Sequence, residues 1–297
     1  MLLSDLHPAI YEARVAQLRL ARQLSDRRIR FAARQDPEPL PHVLVRHSSV
    51  LRRKLGDADP RLQETKIVNL GLAVRPVDGL VLGPGDVFSF WNRVGEPSAR
   101  RGFVDGLVLA RGQVRVATGG GLCQLSNLLY WMALHAPFEV VEHNRHGFDA
   151  FPDDRRVLPF GSGATVFFNY GDLRLRNPTD MSLQLRVWLT DTELCGQIRA
   201  DRPWPLAYHV QERGHRFVRD RDGRVFRENE IWRRSVDRTT GRTLSEERIT
   251  ANRALVTYDV PASRFSLPVT PREGHPEPRA PGAATISPSS SRLSGGA

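Results

Sequence analysis

Apolar positions along this chain change their period more than once. Over residues 1–35 they recur at helical spacing, with Leu6, Ile10, Ala13, Leu20 and Leu24 forming a 3–4 stripe interrupted by Gln17. The pattern predicts an amphipathic helix whose stripe packs against the rest of the domain. Seven arginines run from Arg14 to Arg34 with Asp26 to oppose them. They read as a solvated face, although a basic amphipathic helix can also rest on anionic lipid. The run Asp36-Pro37-Glu38-Pro39-Leu40-Pro41 breaks the chain, and a second short helix is expected around Val43–Leu55.

From about Lys66 the pattern shortens to strands between turn residues. Lys66–Leu72 and Leu80–Leu82 are the first expected strands, followed by the turn Gly83-Pro84-Gly85-Asp86 and the aromatic run Val87–Trp91. Val104–Leu109 and Val114–Ala117 flank Ala110-Arg111-Gly112-Gln113, a hairpin signal. One helix is expected from Cys123 to about His135, stopped by Pro137. Strands return at Ala164–Asn169, with Tyr170-Gly171-Asp172 as a turn, and at Leu183–Leu189 and Leu194–Ile198. Further strands are expected near 207–211, 216–219, 230–236 and 255–258, with 219–224 as an exposed charged turn. After Pro261 the composition shifts to Pro, Ser, Gly and Ala, which reads as a disordered tail.

These elements predict an α+β fold: an N-terminal helical segment, then a mainly antiparallel β domain around one central helix. The expected divisions are a helical segment over 1–60, the α+β domain over 61–261 and the tail over 262–297.

Composition narrows the function classes. The chain has 297 residues, 40% of them hydrophobic, enough for a sizeable core, and a formal net charge of +10. Such a surface favours anionic partners: nucleic acid, lipid headgroups or phosphorylated cell-wall precursors. The basic side chains are almost all Arg, with Lys at 54 and 66, and no zinc finger, RNP signature or basic zipper is present. Nucleic acid is therefore not an expected partner. Two cysteines, Cys123 and Cys195, make no disulfide framework and fit no zinc ribbon. A single bridge between them stays open, with a reduced compartment the simpler reading. Asp5, His7, Glu12 and Arg14 interrupt the start where a signal peptide would be apolar, and no stretch reaches transmembrane length. The expectation is a soluble, cytoplasmic protein without a cofactor.

The least ordinary stretch is Thr118-Gly119-Gly120-Gly121-Leu122-Cys123-Gln124. Consecutive glycines are costly unless backbone must take positive φ or lie against another group. They precede a helix whose first turn carries Cys123, where free N–H groups favour a thiolate. Cys123, Ser126, Asn127 and Tyr130 share a polar-leaning face over which a cleft can form. The bland alternative is a buried, inert thiol, common for unpaired cysteine. Downstream lies Val140-Val141-Glu142-His143-Asn144-Arg145-His146-Gly147-Phe148-Asp149. A cysteine nucleophile needs a base, commonly His, and an orienting polar group. His146 is the candidate base, with Asp149 or Glu142 as orienter and Gln124 or backbone N–H groups as oxyanion donors. A zinc site of Cys123, His143 and His146 is a third reading that lacks a fourth ligand, so no metal is expected. The glycine turn, with Gly119, Gly120, Gly121, Ser126 and Asn127, can alternatively hold a carboxylate or phosphate. It is not a Walker A loop and lacks the strand–GxGxxG–helix context.

Gly119-Gly120-Gly121-Leu122-Cys123-Gln124-Leu125-Ser126-Asn127 resembles the hallmark of the VanW family. The similarity continues through His146, Asp149–Asp153, Leu158–Tyr170, Asp172-Leu173 and Arg176–Thr179, and upstream through Gly85–Asn92. Many members carry Arg-Asp-Ala-Thr-Val where this chain has Ser162-Gly163-Ala164-Thr165-Val166. His143 stands where the family often has Arg, which favours His146 as the candidate base. The resemblance implies a cell-wall and glycopeptide-resistance context and brings no settled activity. Two functions follow as expectations. One is an accessory protein that binds a cell-wall-related peptide or anionic ligand at the glycine turn. The other is a Cys-dependent hydrolase or acyl-transfer enzyme acting on a peptidoglycan-related substrate.

Overall fold

In the computed structural model the described residues are 8–265, except 53–58, 111–112, 146, 151 and 153–157. One compact unit ends at Phe265. The expected tail lies outside the described residues from 266 onward.

The N-terminal helix α1 spans Pro8–Asp26 and stops short of the predicted end at 35, residues 1–7 lying outside the described ones. Beyond it the chain is extended, with Phe31 bridging Val87 and Gln35 bridging Leu80. The predicted second helix is instead strand β1, His42–Val50. Its Val43, Val45 and Val50 are β-branched, and it pairs antiparallel with β10, Glu193–Ala200. The reverse error falls on Lys66–Leu72, which lies inside helix α2, Arg61–Val74. Its buried positions Gln63, Lys66, Asn69, Leu70, Ala73 and Val74 recur at helical spacing. Three of them are polar, so the stripe is invisible to an apolar count.

Strand β2, Leu80–Leu82, was predicted correctly. It completes a four-stranded antiparallel sheet in the order β1, β10, β9 and β2, with β9 spanning Leu183–Leu189. The aromatic run divides into β3, Val87–Ser89, and a short helix α3, Phe90–Val94. Ser89 caps α3, its Oγ accepting from the Asn92 N–H at 3.1 Å. The hairpin β4, Asp105–Ala110, and β5, Gln113–Thr118, matches expectation.

Helix α4, Cys123–Leu134, is the central helix, fully apolar on the side of Leu125, Leu128, Leu129 and Met132. It packs on β1 and β10. After it come β6, Glu139–Glu142, and β7, Phe148–Asp149. The predicted strand 164–169 forms only isolated bridges, Asn144 with Thr165 and Phe167 with Gly171. The unexpected strand β8, Arg174–Arg176, sits between β3 and β6. Three long strands close the described chain: β11, Leu206–Arg219, β12, Val225–Asp237, and β13, Thr243–Val256. They form an antiparallel meander with β7 added in parallel at its edge. The fold is α+β and mainly antiparallel, as the sequence predicts.

Candidate functional site

The triple-glycine turn is a place of close approach. Gly119 and Gly121 hold φ of +80° and +93°, a region open to glycine and costly for other residues. A Cβ on Gly120 would overlap the Gly106 backbone, and one on Gly121 would overlap the Lys66 stem. One on Gly119 would overlap Pro97. The glycine faces are thus closed by β4, α2 and the loop after α3. Asn69, which sequence reading passed over, fastens the turn. Its Nδ2 donates to the carbonyls of Gly120 and Val104 at 2.9 Å each, and its Oδ1 accepts from the Val104 N–H at 2.9 Å. A buried amide that uses both of its ends in this way fixes backbone better than any apolar side chain would.

The expected polar face of α4 exists, and it is occupied. Ser126 Oγ donates to the Ala164 carbonyl at 2.6 Å, and Asn127 Oδ1 accepts from the Ala164 N–H at 2.7 Å. Gln124 Nε2 donates to Ser49 Oγ at 2.9 Å and the Val50 carbonyl at 3.0 Å, tying the helix start to the end of β1. His143 lies flat on Tyr130, ring centroids 4.2 Å apart and planes 6° apart, with Nε2 on the Gly163 carbonyl at 2.9 Å. That carbonyl requires Nε2 to carry the proton. Burial, opposed by this bond and reinforced by Arg145, pushes the His143 imidazole down to about 4. It is neutral at physiological pH.

Cys123 is half-buried and packs against the core at the head of α4. The Val166 N–H points at its sulfur, which would favour a thiolate, yet burial outweighs this and pushes the thiol up from its ordinary value. The N–H of Cys123 itself, at the helix start, also pulls the thiol down, but burial outweighs both contributions. Cys195, on β10, is likewise pushed up by burial and then by Glu193, and both cysteines are free thiols.

Both candidate orienting carboxylates have cationic partners. Asp149 Oδ2 accepts from Arg227 at 3.1 Å and from the Tyr258 hydroxyl at 2.9 Å. Glu142 forms a bidentate pair with Arg22 at 2.7 and 2.8 Å and accepts from the Asp172 N–H at 2.8 Å. His146 lies outside the described residues. Among the described residues no group of three or more His, Cys, Asp or Glu is placed to hold a metal ion.

A separate cleft of about 690 Å³ opens where the α4–β6 turn and the β8–β9 loop meet the β11–β13 meander. Trp204 and Tyr208 line it, with Arg233 and Arg248 as cations and Glu139, Asp180 and Glu247 as anions. Arg233 lies 5.1 Å over the Tyr208 ring and donates to Glu247 at 2.8 Å; Arg248 donates to Glu230 at 2.8 Å. None of these residues belongs to the glycine-turn motif. Sequence reading missed them because they come from five segments apart in the chain.

A protein family described as VanW like protein matches residues 65–199. The chain is 32% identical over 224 residues to "Vancomycin B-type resistance protein VanW" of Enterococcus faecalis (strain ATCC 700802 / V583), covering 75% of this chain and 81% of that protein. It is 26% identical over 122 residues to "Uncharacterized protein YoaR" of Bacillus subtilis (strain 168), covering 40% of this chain and 38% of that protein. No solved structure matches.

Proposed function

Since this chain belongs to the VanW family, we propose that it is an accessory binding protein whose ligand is a short cell-wall-related peptide, taken up in the Trp204–Arg233 cleft. The observation that carries this reading is the composition of that cleft. Its volume of about 690 Å³ suits a small peptide. Arg233 and Arg248 offer guanidinium N–H groups to a ligand carboxylate beside their bonds to Glu247 and Glu230, Glu139 and Asp180 offer an ammonium group their carboxylates while paired with Arg176 and Arg202, and Trp204 and Tyr208 give apolar side chains a flat wall. The name borne by the Enterococcus relative supports a wall-related ligand. The glycine turn supports the site only indirectly, by holding α4 and hence the α4–β6 turn in place.

A thiol-dependent reaction at Cys123 is the second reading, favoured by the Val166 N–H aimed at the sulfur. One calorimetric titration separates the two, using a soluble peptidoglycan stem pentapeptide as probe. Cleft binding predicts saturable uptake that weakens by about tenfold or more in Trp204→Ala or Arg233→Ala, in line with loss of an aromatic or Arg anchor, and is unchanged in Cys123→Ala. Uptake lost in Cys123→Ala and kept in both cleft variants would reject the cleft in favour of the thiol. Absence of saturable uptake would reject peptide binding itself.

A further inference from the structure

Helix α1 is mounted with its sides reversed. A surface helix ordinarily buries its apolar stripe and exposes its charges. Here the charged side faces inward. Arg22 pairs with Glu142, Asp26 accepts two bonds from Arg174 at 2.7 Å each, and the Arg19 guanidinium lies 5.0 Å over the Phe168 ring. Positions 19, 22 and 26 share one face by 3–4 spacing. The opposite side carries Ile10, Leu18, Leu20 and Leu24 at 44%, 40%, 58% and 52% exposure, with Ala13 and Ala21 also exposed. At 100° per residue these apolar side chains fall within an arc of about 160°, which the exposed Arg14, Gln17 and Ser25 share. The same stripe was expected to pack on the domain. The ion pairs decide the orientation, because turning the helix over would take Asp26 from Arg174, which is 5% exposed, and Arg22 from Glu142.

Charge identifies what such a face suits. Arg14 is exposed within it and Arg27 and Arg28 just past the helix end, while Asp26 is turned inward to Arg174. The whole chain carries a formal charge of +10. A second copy of the chain would set these arginines against their own kind. Residues 266–297 offer few large apolar side chains to cover the stripe: Leu267, Val269, Ile286 and Leu293. An apolar arc with arginine in it and at its end matches the boundary between anionic headgroups and acyl chains. Among the described residues no helix is long and apolar enough to cross a membrane. We propose that the outward face of α1 is a docking surface for an anionic lipid layer, on which the helix lies flat with its charged side clamped to the domain.

Vesicle co-sedimentation of the full chain tests this, comparing phosphatidylcholine vesicles with vesicles containing about 30% phosphatidylglycerol, at low and high salt. The expected result is at least about fivefold more protein bound to the anionic vesicles at low salt, with the excess reduced by salt. The double variant Leu20→Gln/Leu24→Gln should abolish binding, and Arg14→Ser/Arg28→Ser should remove the preference for phosphatidylglycerol. Both replace exposed side chains, so an unchanged Tm confirms that the fold survives. Equal binding to both vesicle types, no binding, or full binding by the leucine double variant would overturn the proposal. So would a concentration-dependent dimer that Leu20→Gln/Leu24→Gln converts to monomer, since a second copy would then cover the face.

Discussion

At the scale of single residues, two positions can be tested for opposite reasons. Gly121 combines a φ of +93° with a face pressed on the Lys66 stem. Gly121→Ala should cost about 2–5 kcal/mol, summing backbone strain and overpacking. Gly147→Ala, which meets nothing within 4 Å, should change stability by under about 0.5 kcal/mol. Urea denaturation midpoints of the two variants check the contrast. His143 makes stability depend on pH. Its imidazole sits at about 4 when folded, against 6.5 for the ordinary side chain, because burial outweighs the Gly163 carbonyl. Between those values the unfolded chain binds more protons, so stability rises with pH across that window and is lost as pH falls through it. The depth is on the order of 3 kcal/mol. In His143→Gln the slope of unfolding free energy between pH 4 and 6.5 should flatten; an unchanged slope would assign it to other groups. The residues of the recognised motif turn out to be joints: Gln124 fastens β1, while Ser126 and Asn127 fasten Ala164.

At the scale of elements, β8 shows how position decides the worth of a charge. Arg174 binds Asp172 at 3.0 Å and Asp26 at 2.7 Å, with its side chain 6% exposed. Burial raises Asp172, and its bonds from Ser89, Arg174 and Trp91 only partly offset this. Glu142 feels the same burial, but Arg22, the Asp172 N–H and Arg174 outweigh it and hold the carboxyl below its ordinary range. Removing the shared cation by Arg174→Leu should cost about 3–5 kcal/mol by leaving buried carboxylates unpaired. Arg176→Leu, whose exposed side chain pairs with Glu139, should cost under about 1 kcal/mol. Chemical denaturation of both checks this, and hydrogen exchange should show α1 loosened in the first variant alone. Elements differ in how far the sequence revealed them. Helix α4 and the β4–β5 and β9–β10 hairpins were legible because apolar period and turn residues agree there. Helix α2 was not, because it buries Gln63, Lys66 and Asn69: Lys66 donates to Gln63 within the helix, while Lys66 reaches the Leu51 carbonyl and Asn69 the Val104 and Gly120 carbonyls outside it. Strand β1 was misread because its pairing with β10, some 150 residues away, outweighs a weak local preference.

At the scale of the whole molecule, family, fold class and the pivotal turn were readable from residue order alone. Local chemistry suffices for them: a run of glycines before an apolar helix, β-branched strands between turn residues, and a specific motif in sequence. Three matters were decided only in three dimensions. The side of α1 that faces outward depends on buried partners at Glu142, Asp172 and Arg174, whereas periodicity marks two faces of a helix without saying which is covered. The direction of the Cys123 shift depends on how much apolar matter surrounds the sulfur, which a helix position cannot reveal. The Trp204–Arg233 cleft gathers segments separated by up to about a hundred residues, so no local pattern could have announced it. Sequence determines what each segment can form; packing decides which groups lose their water, and that loss sets both orientation and protonation.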